Sequence, residues 1–229
     1  MSTVVSLTER LKPARTQQLV DALLAEDTET AKRLLQGPID FTLSFDFEVP
    51  RFQTLRALDI AIFQGQTELA LLMIEAGAPL EQNPDVEGWT ASILSEPLAL
   101  AARECNREVI EAIGRKLPAE DFQERLNERL HGAAVGANLE ALLLLVDLGG
   151  QCTVHGPTSG YTPLHQAAAW GHTAIIDQLL SLGAQWEAQD VKGYTPADFL
   201  KRNHPQLAQR YGVAGDSSVM PMLRAVGKR

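Results

Sequence analysis

Four side chains of the kinds that bind zinc lie in one short stretch of the second half of the chain. Cys152, His155, His165 and His172 follow the spacing C-x2-H-x9-H-x6-H. Thiolate sulfur and imidazole nitrogen are ligands that zinc prefers. Because the spacing matches none of the common zinc signatures, a metal-binding protein using Cys152, His155 and His172 is only a remote alternative. We expect no metal and no other cofactor.

The sequence also lacks the patterns that carry catalysis. It contains no Gly-x-Ser-x-Gly motif and no phosphate-binding glycine loop, and neither cysteine lies in a catalytic signature. Carboxylate pairs such as Glu120 and Asp121 arise by chance in an acidic chain and are typical of solvated helix faces. We therefore expect no catalytic residues and no enzyme activity.

The histidines belong to an internal repeat. LHGAAVGANLEALLLLVDLGG at residues 130–150 matches residues 162–184 at an offset of 34, and Gly-Tyr-Thr-Pro at residue 160 begins again 33 residues later at Gly193. Weaker copies share the apolar and alanine positions and occupy residues 19–37, 58–78 and 97–114. A period of this length predicts stacked supersecondary units.

In the clearest copy, each repeated residue has a structural role. Thr162 is suited to cap a helix, Pro163 to begin it, and His165 to reach back to the cap three residues away. Gly171 ends this helix, and Gly183 closes a second one. Each copy is therefore a helix pair whose apolar face is too small to be buried alone, so that stacking must supply the burial.

The motifs GYTPLHQAAAWGH, LLSLGA and GYTPADFL resemble the ankyrin-repeat family. The resemblance covers about residues 17–205 and implies an all-α fold, an ankyrin-repeat solenoid of about five to six stacked helix pairs with projecting loops. We expect a single domain over residues 1–229. Its repeats are expected near residues 17–37, 55–78, 97–117, 129–150 and 160–184, with a partial copy at 193–211 and a tail at 212–229.

The function implied by this resemblance is protein binding through the concave face and the loop tips. The repeated residues hold the stack, so contact is left to positions that vary between copies. On the inner helices these are Phe63, Gln64, Glu104, Ala169 and Trp170. At the loop tips they are Asp85, Val86, Glu87, Trp89, Thr158, Ser159, Tyr161, Val191, Lys192 and Tyr194. Packing of loop against loop is an equal alternative for the two tyrosines, and Trp186 is expected to pack inward.

A second candidate contact region is the long connection at residues 38–53. Long loops in compact proteins are usually functional or disordered. The spacing of its aromatic residues favours an ordered, extended finger with an acidic character. The finger residues that we assign to contact are Phe41, Phe45, Asp46, Phe47, Glu48 and Phe52.

Charge restricts the kind of partner. Residues 1–200 contain 14 Lys and Arg against 28 Asp and Glu, and an acidic surface disfavours nucleic acid. We expect a monomer that binds a protein with a basic or mixed face. A more specific alternative is an acidic inhibitor or neutraliser that occludes the active site or basic face of another protein.

With no apolar run long enough to span a bilayer and no secretion signal, the protein is expected in the cytoplasm.

Overall fold

The structure is a computed structural model, and it describes residues 7–49, 52–84 and 96–213. The loop-tip candidates Asp85, Val86, Glu87 and Trp89 lie outside the described residues, as does the predicted tail beyond residue 213. None of the helices that the structure describes combines the length and the apolar character needed to cross a bilayer.

Helices dominate the described chain and follow one another in pairs. The first four pairs are α1 Leu7–Leu24 with α2 Thr28–Leu35, α3 Ala57–Phe63 with α4 Thr67–Glu75, α5 Pro97–Arg103 with α6 Arg107–Lys116, and α7 Ala119–Val135 with α8 Leu139–Asp147. The last two pairs are α9 Pro163–Trp170 with α10 Thr173–Ser181, and α11 Pro196–Asn203 with α12 Pro205–Arg210. Each predicted repeat therefore contains a helix pair, although α1 and α7 begin about ten residues before the predicted repeat boundaries.

The chain forms two compact units. The first unit comprises residues 1–133 and 140–150, and the second comprises residues 134–139 and 151–229. In the first unit, the first helices α1, α3 and α5 pack in order against one another, and the second helices α2, α4 and α6 do the same. In the second unit, α9 packs on α10 and α11, and α11 packs on α12. The helix pairs thus bury their apolar faces against neighbouring pairs, as the sequence predicts.

The core consists of aliphatic side chains separated by small ones. Leu58 and Ile62 on α3 are at most 2% exposed, as is Leu98 on α5. Ala61 and Ala101 are fully buried at the same places where the first helices meet. Small side chains let helix axes approach closely, and the large ones fill the space to either side.

One backbone feature recurs at the turn within five of the helix pairs. Glu26, Gly65, Cys105, Ala137 and Gly171 each adopt a left-handed conformation, with φ between 53° and 74°. At the turns with Glu26, Gly65, Cys105 and Gly171, the next amide bonds to a carbonyl near the end of the first helix, as in His172 N to Ala167 O at 3.0 Å. This bond closes the helix and reverses the chain. Only two of the five positions carry glycine, the residue that the conformation favours.

Polar side chains connect successive turns of the first unit. Nε2 of Gln66 donates to the carbonyl oxygen of Leu23 at 2.8 Å, and Nδ2 of Asn106 donates to Oγ1 of Thr67 at 2.8 Å. Both donors are the residue that directly follows a left-handed position. They link the turns of neighbouring helix pairs, and the bond from Gln66 gives a partner to a carbonyl at the end of α1.

Ion pairs connect the second helices of successive helix pairs. Such exposed pairs contribute little individually, about 0–1 kcal/mol, but they fix which helix lies beside which. The bond from Lys116 lowers the pKa of Glu75, the effect expected when a carboxylate gains a cationic partner. The pairs are Lys32 with Glu68, Glu75 with Lys116, Arg107 with Asp147, and Asp177 with Arg210.

The predicted finger is an antiparallel hairpin. Strand β1 Ser44–Val49 pairs with β2 Phe52–Arg56, and Phe45 lies opposite Leu55. Phe41 and Phe45 are half-buried, whereas the side chains of Asp46, Phe47, Glu48 and Phe52 lie outside the described part of the chain. The segment is thus extended, as its alternating aromatic residues predict. It continues beyond the predicted end at residue 53 to Arg56, which directly precedes α3.

A buried ion pair joins the hairpin to the first residues of α3. The backbone N–H and Nε of Arg56 donate to Oδ2 of Asp59 at 3.0 and 3.2 Å, and Nη2 of Arg56 donates to the carbonyl oxygen of Glu81 at 2.7 Å. Burial raises the pKa of Asp59, although Arg56 acts in the opposite direction. The pair caps α3 as the threonine caps later helices, a role for these residues that the sequence pattern did not reveal.

Ala137 offers a test of the left-handed turn. We expect Ala137→Gly to raise the free energy of unfolding by about 0.5–1 kcal/mol, because glycine adopts this conformation without the Cβ clash. The matched change Ala174→Gly, at an exposed position inside α10, should lower the free energy of unfolding by about 0.5 kcal/mol. Urea unfolding followed by circular dichroism measures both. Destabilisation by Ala137→Gly would contradict the turn geometry.

Candidate functional site

In the first unit, the ends of the first helices present apolar side chains to solvent. Leu24 is the last residue of α1 and is 47% exposed, and Phe63 is the last residue of α3 and is 42% exposed. Arg103 ends α5, and its Cζ lies 5.5 Å from the centroid of the Phe63 ring. Gln64 is exposed, and its Oε1 accepts from Nε2 of Gln66 at 3.1 Å. A row of helix ends therefore forms a partly apolar surface.

Glu104 completes this surface. Its Oε1 accepts from Nε and Nη2 of Arg103 at 2.9 and 2.7 Å. The guanidinium thus lies over an aromatic ring and also donates to a carboxylate, two interactions that hold the Arg103 side chain against this surface. The candidates predicted on the inner helices of this unit are Phe63, Gln64 and Glu104. They lie at the ends of two successive first helices, α3 and α5.

In the second unit, the corresponding helix end presents a tryptophan. Trp170 is the last residue of α9 and is 60% exposed. The carbonyl oxygen of the preceding residue, Ala169, accepts from Nδ2 of Asn203 at 2.9 Å and from Nε2 of His204 at 3.2 Å. These bonds fix the helix end, so the indole projects from a rigid support rather than from a loop.

Tyr161 and Tyr194 pack within the second unit. The Tyr161 ring is stacked on His165 at 5.5 Å and meets Phe199 edge-on at 5.3 Å, and Tyr194 lies 6.4 Å from Phe199. Both tyrosines are half-buried. The ring geometry favours the packing alternative for these two residues, since aromatic pairs at these distances contribute to stability.

The remaining loop-tip candidates lie in the same two loops as Tyr161 and Tyr194. Val191 is 69% exposed, and Lys192 and Thr158 are also exposed. The backbone of the tip is ordered, because Val191 N donates to the carbonyl oxygen of Ser159 at 3.2 Å. Oδ1 of Asp190 accepts from the backbone amides of Lys192 and Tyr194, both at 2.8 Å. Neighbouring loops thereby support each other's backbone.

His165 is committed to the cap. Its Nδ1 accepts from the backbone N–H of Thr162 at 3.0 Å, and its Nε2 lies 3.1 Å from the carbonyl oxygen of Tyr194. These partners assign the proton to Nε2 and leave Nδ1 as an acceptor. The side chain is 1% exposed, and burial is the main cause that lowers its pKa. Pro163 begins the helix, and Gly171 ends it in the left-handed conformation.

Of the other candidate zinc ligands, His155 is exposed, and His172 and Cys152 have separate partners. Nε2 of His172 lies 3.0 Å from the carbonyl oxygen of Val135. Cys152 is buried, its Sγ lies 3.8 Å from the carbonyl oxygen of Leu182, and burial raises its pKa. Within residues 7–49, 52–84 and 96–213, no group of three or more His, Cys, Asp or Glu side chains is placed to hold a metal ion.

Comparison with known families agrees with this geometry. Residues 98–190 match the family model for ankyrin repeats, in three copies. These residues are ankyrin repeats. The repeat that contains α9 therefore stacks through three features. These are its capped start, the small residues of its buried face and the left-handed turn after it.

A solved structure extends the ankyrin fold beyond the matched repeats. The crystal structure of EF0377, an ankyrin repeat protein, superimposes with a TM-score of 0.57 and 22% sequence identity. The match covers 86% of this chain and 97% of that one. Because the helix pairs of this chain are arranged as in that protein, the chain has the ankyrin-repeat solenoid fold.

Relatives among characterised proteins share the ankyrin repeats over part of their length. The human ARF GTPase-activating protein GIT1 is 38% identical over 104 residues, which is 43% of this chain and 14% of the relative. Human protein phosphatase 1 regulatory subunit 27 is 35% identical over 83 residues, or 36% of this chain and 53% of the relative. This chain therefore spans only 14% of the length of the GTPase-activating protein.

Leu24 and Val135 are exposed contact candidates that the sequence interpretation missed. Each ends the first helix of an ankyrin repeat and lies two residues before the left-handed position. Aligning the repeats on that turn would have found both, since Phe63 precedes Gly65 by the same two residues. The turn was hidden because Glu26 and Ala137 occupy it instead of glycine.

The two units of the ankyrin chain differ in charge. The described residues of the first unit include 12 Lys and Arg against 22 Asp and Glu, whereas the second unit has four of each. The surface around Phe63 therefore lies in an acidic environment, and the surface around Trp170 lies in a neutral one. The charge of the first unit itself therefore favours a cationic partner, whereas the charge of the second unit favours neither sign.

His165 should make the stability of the second unit depend on pH. Because burial lowers its pKa in the folded state, its contribution is fully present above the unfolded pKa of about 6.5 and is lost as the pH falls below that value. His165→Gln retains a capping side chain that does not titrate. The free energy of unfolding, measured with urea, should fall more between about pH 7.5 and about pH 5.5 for the wild type than for the variant. Equal losses would contradict a lowered pKa of His165 in the folded state.

Proposed function

We propose that the protein is a non-enzymatic interaction module that binds a partner protein through the ends of its inner helices, on the concave face, and through its loop tips. Ankyrin repeats stack to give extended surfaces for protein contact, which supports this function. The name of one relative, a regulatory subunit of protein phosphatase 1, describes a protein that works together with another protein.

The observation that carries the proposal is the exposure of Trp170. A tryptophan that is 60% exposed at a fixed helix end leaves a large apolar area in contact with water. Tryptophan is also the residue type most enriched among those that dominate binding energies. The neighbouring helix end in the same unit adds Val135, which is 36% exposed. A rigid apolar surface of this kind is suited to burial against a partner.

The environments of the two cysteines support a function without catalysis. A nucleophilic cysteine requires a stabilised thiolate, but burial raises the pKa of Cys152 and so favours the thiol. Cys105 occupies the left-handed turn after α5, where the repeat requires a chain reversal. Packing and turn formation account for both positions.

Trp170→Ala tests the proposed contact surface. We expect it to reduce recovery of the main partner in a pull-down from a native lysate by about tenfold, since truncation of such a residue typically costs more than 1 kcal/mol of binding energy. Leu143→Ala, which removes an apolar side chain that is 42% exposed on the second helix α8, is the control and should leave recovery unchanged. Unchanged recovery with Trp170→Ala and with a shortened 38–53 connection would contradict the assignment.

The acidic charge of the first unit favours a second candidate function, an inhibitor that occludes the basic face or active site of another protein. Such binding would weaken strongly as salt rises, because it depends on charge attraction. Binding centred on Trp170 would respond little to salt. Measuring affinity between about 0.05 and 0.3 M salt separates the two mechanisms.

A further inference from the structure

The first unit contains an arrangement that already holds a cation on its surface. The Arg103 guanidinium lies over the Phe63 ring, with Cζ at 5.5 Å from the ring centroid, and donates to Oε1 of Glu104. An aromatic face together with a carboxylate is the combination by which proteins recognise guanidinium and ammonium groups. All three side chains reach solvent, since Phe63 is 42% exposed and the side chains of Arg103 and Glu104 are 34% and 36% exposed.

An exposed apolar side chain lies on the adjoining helix end. Helix α1 packs on α3, and the bond from Gln66 to the carbonyl oxygen of Leu23 fixes the end of α1 beside the turn that follows Phe63. Leu24 projects from this end and is 47% exposed. Asp21 on the last turn of α1 and Glu26 in the turn that follows the helix are both exposed. The surface thus combines an aromatic face, an aliphatic side chain and several carboxylates.

The charge of the unit favours a basic ligand over a neutral or acidic one. The described residues of this unit carry ten more acidic than basic side chains. A field of this sign raises the local concentration of cationic partners and repels anionic ones. Arg103 places its guanidinium over the Phe63 ring, so a partner's cation must displace it. Displacement is feasible because Arg103 is partly exposed and its side chain is long.

We propose that Phe63, Glu104 and Leu24 form a docking site for a basic segment of a partner protein. An arginine or lysine of that segment takes the position of Arg103 over the Phe63 ring and pairs with Glu104, and a nearby apolar side chain rests on Leu24. Arg103 acts as an internal competitor for this position. The proposal rests on the proposed protein-binding function and specifies the chemistry of the partner.

The probe is a set of short synthetic peptides, each with one arginine or lysine and one leucine at varied spacing. A matched set carries glutamine in place of the cation. Binding to the full chain is measured by fluorescence anisotropy. We expect the cationic peptides to bind and the glutamine peptides to bind at least about tenfold more weakly. Phe63→Ala and Glu104→Gln should each weaken binding of the best peptide by about tenfold.

Arg103→Ala distinguishes the proposed competition from a purely structural role. Because it removes the internal competitor, it should strengthen peptide binding by about threefold, the scale of an exposed cation–π contact. Leu143→Ala, which removes an exposed apolar side chain from the second helix α8, is the matched control and should leave peptide affinity unchanged. Circular dichroism of every variant verifies that the helices are retained.

Three results would overturn the proposal: absence of binding by the cationic peptides, no preference for the cation over glutamine, or weaker binding with Arg103→Ala. These results differ from a failure of the general function. If the peptides do not bind but a partner is recovered in a manner that depends on Trp170, the chain is a protein-binding module whose contact surface lies elsewhere.

Discussion

The constraint on which the structure depends is that no single helix pair can bury its own apolar face. Helices such as α3 and α9 span only seven or eight residues, so an isolated pair would expose side chains such as Leu58 and Leu164 to water. Stacking removes them from water, since both are at most 2% exposed in the units. Small residues at the contacts, among them Ala61 and Ala167, set how closely the helices approach. Each repeat is therefore stable only with its neighbours, and the surface it presents is as rigid as the stack.

This constraint also determines where binding residues can lie. The first helices α3, α5 and α9 are buried along most of their length, and a left-handed turn follows each of them within two residues of its end. Side chains at that end are free of the packing requirement, so they vary from Leu24 and Phe63 to Trp170. The cap and the bonds between turns hold these ends in fixed positions. Exposed apolar side chains are thus supported by helix ends that are packed and hydrogen-bonded, which is the condition for a binding surface with a small entropic cost.

The sequence predicted those features that depend on residue type within one repeat. Thr162, Pro163 and Gly171 indicated the start and end of α9, because capping and chain reversal have strong local preferences. Features that depend on a partner distant in the chain were not predictable in this way. Arg56 reaches the carbonyl oxygen of Glu81, and Arg103 lies over Phe63, contacts that no spacing rule reveals. The turns at Glu26, Cys105 and Ala137 were missed because stacking imposes a conformation that these residue types do not favour.

Native-state hydrogen exchange on the full chain measures directly whether stacking of the inner helices holds each unit together. We expect the slowest exchange for amides in the buried middle of α3, α5 and α9, with an opening free energy near that of global unfolding of their unit. Amides of the second helices and of the loop tips should exchange faster. If the amides of Ile62, Ala102 and Ala168 exchanged as fast as those of the loop at Thr158 and Ser159, the inner helices would not be the stabilising element, and the account would be wrong.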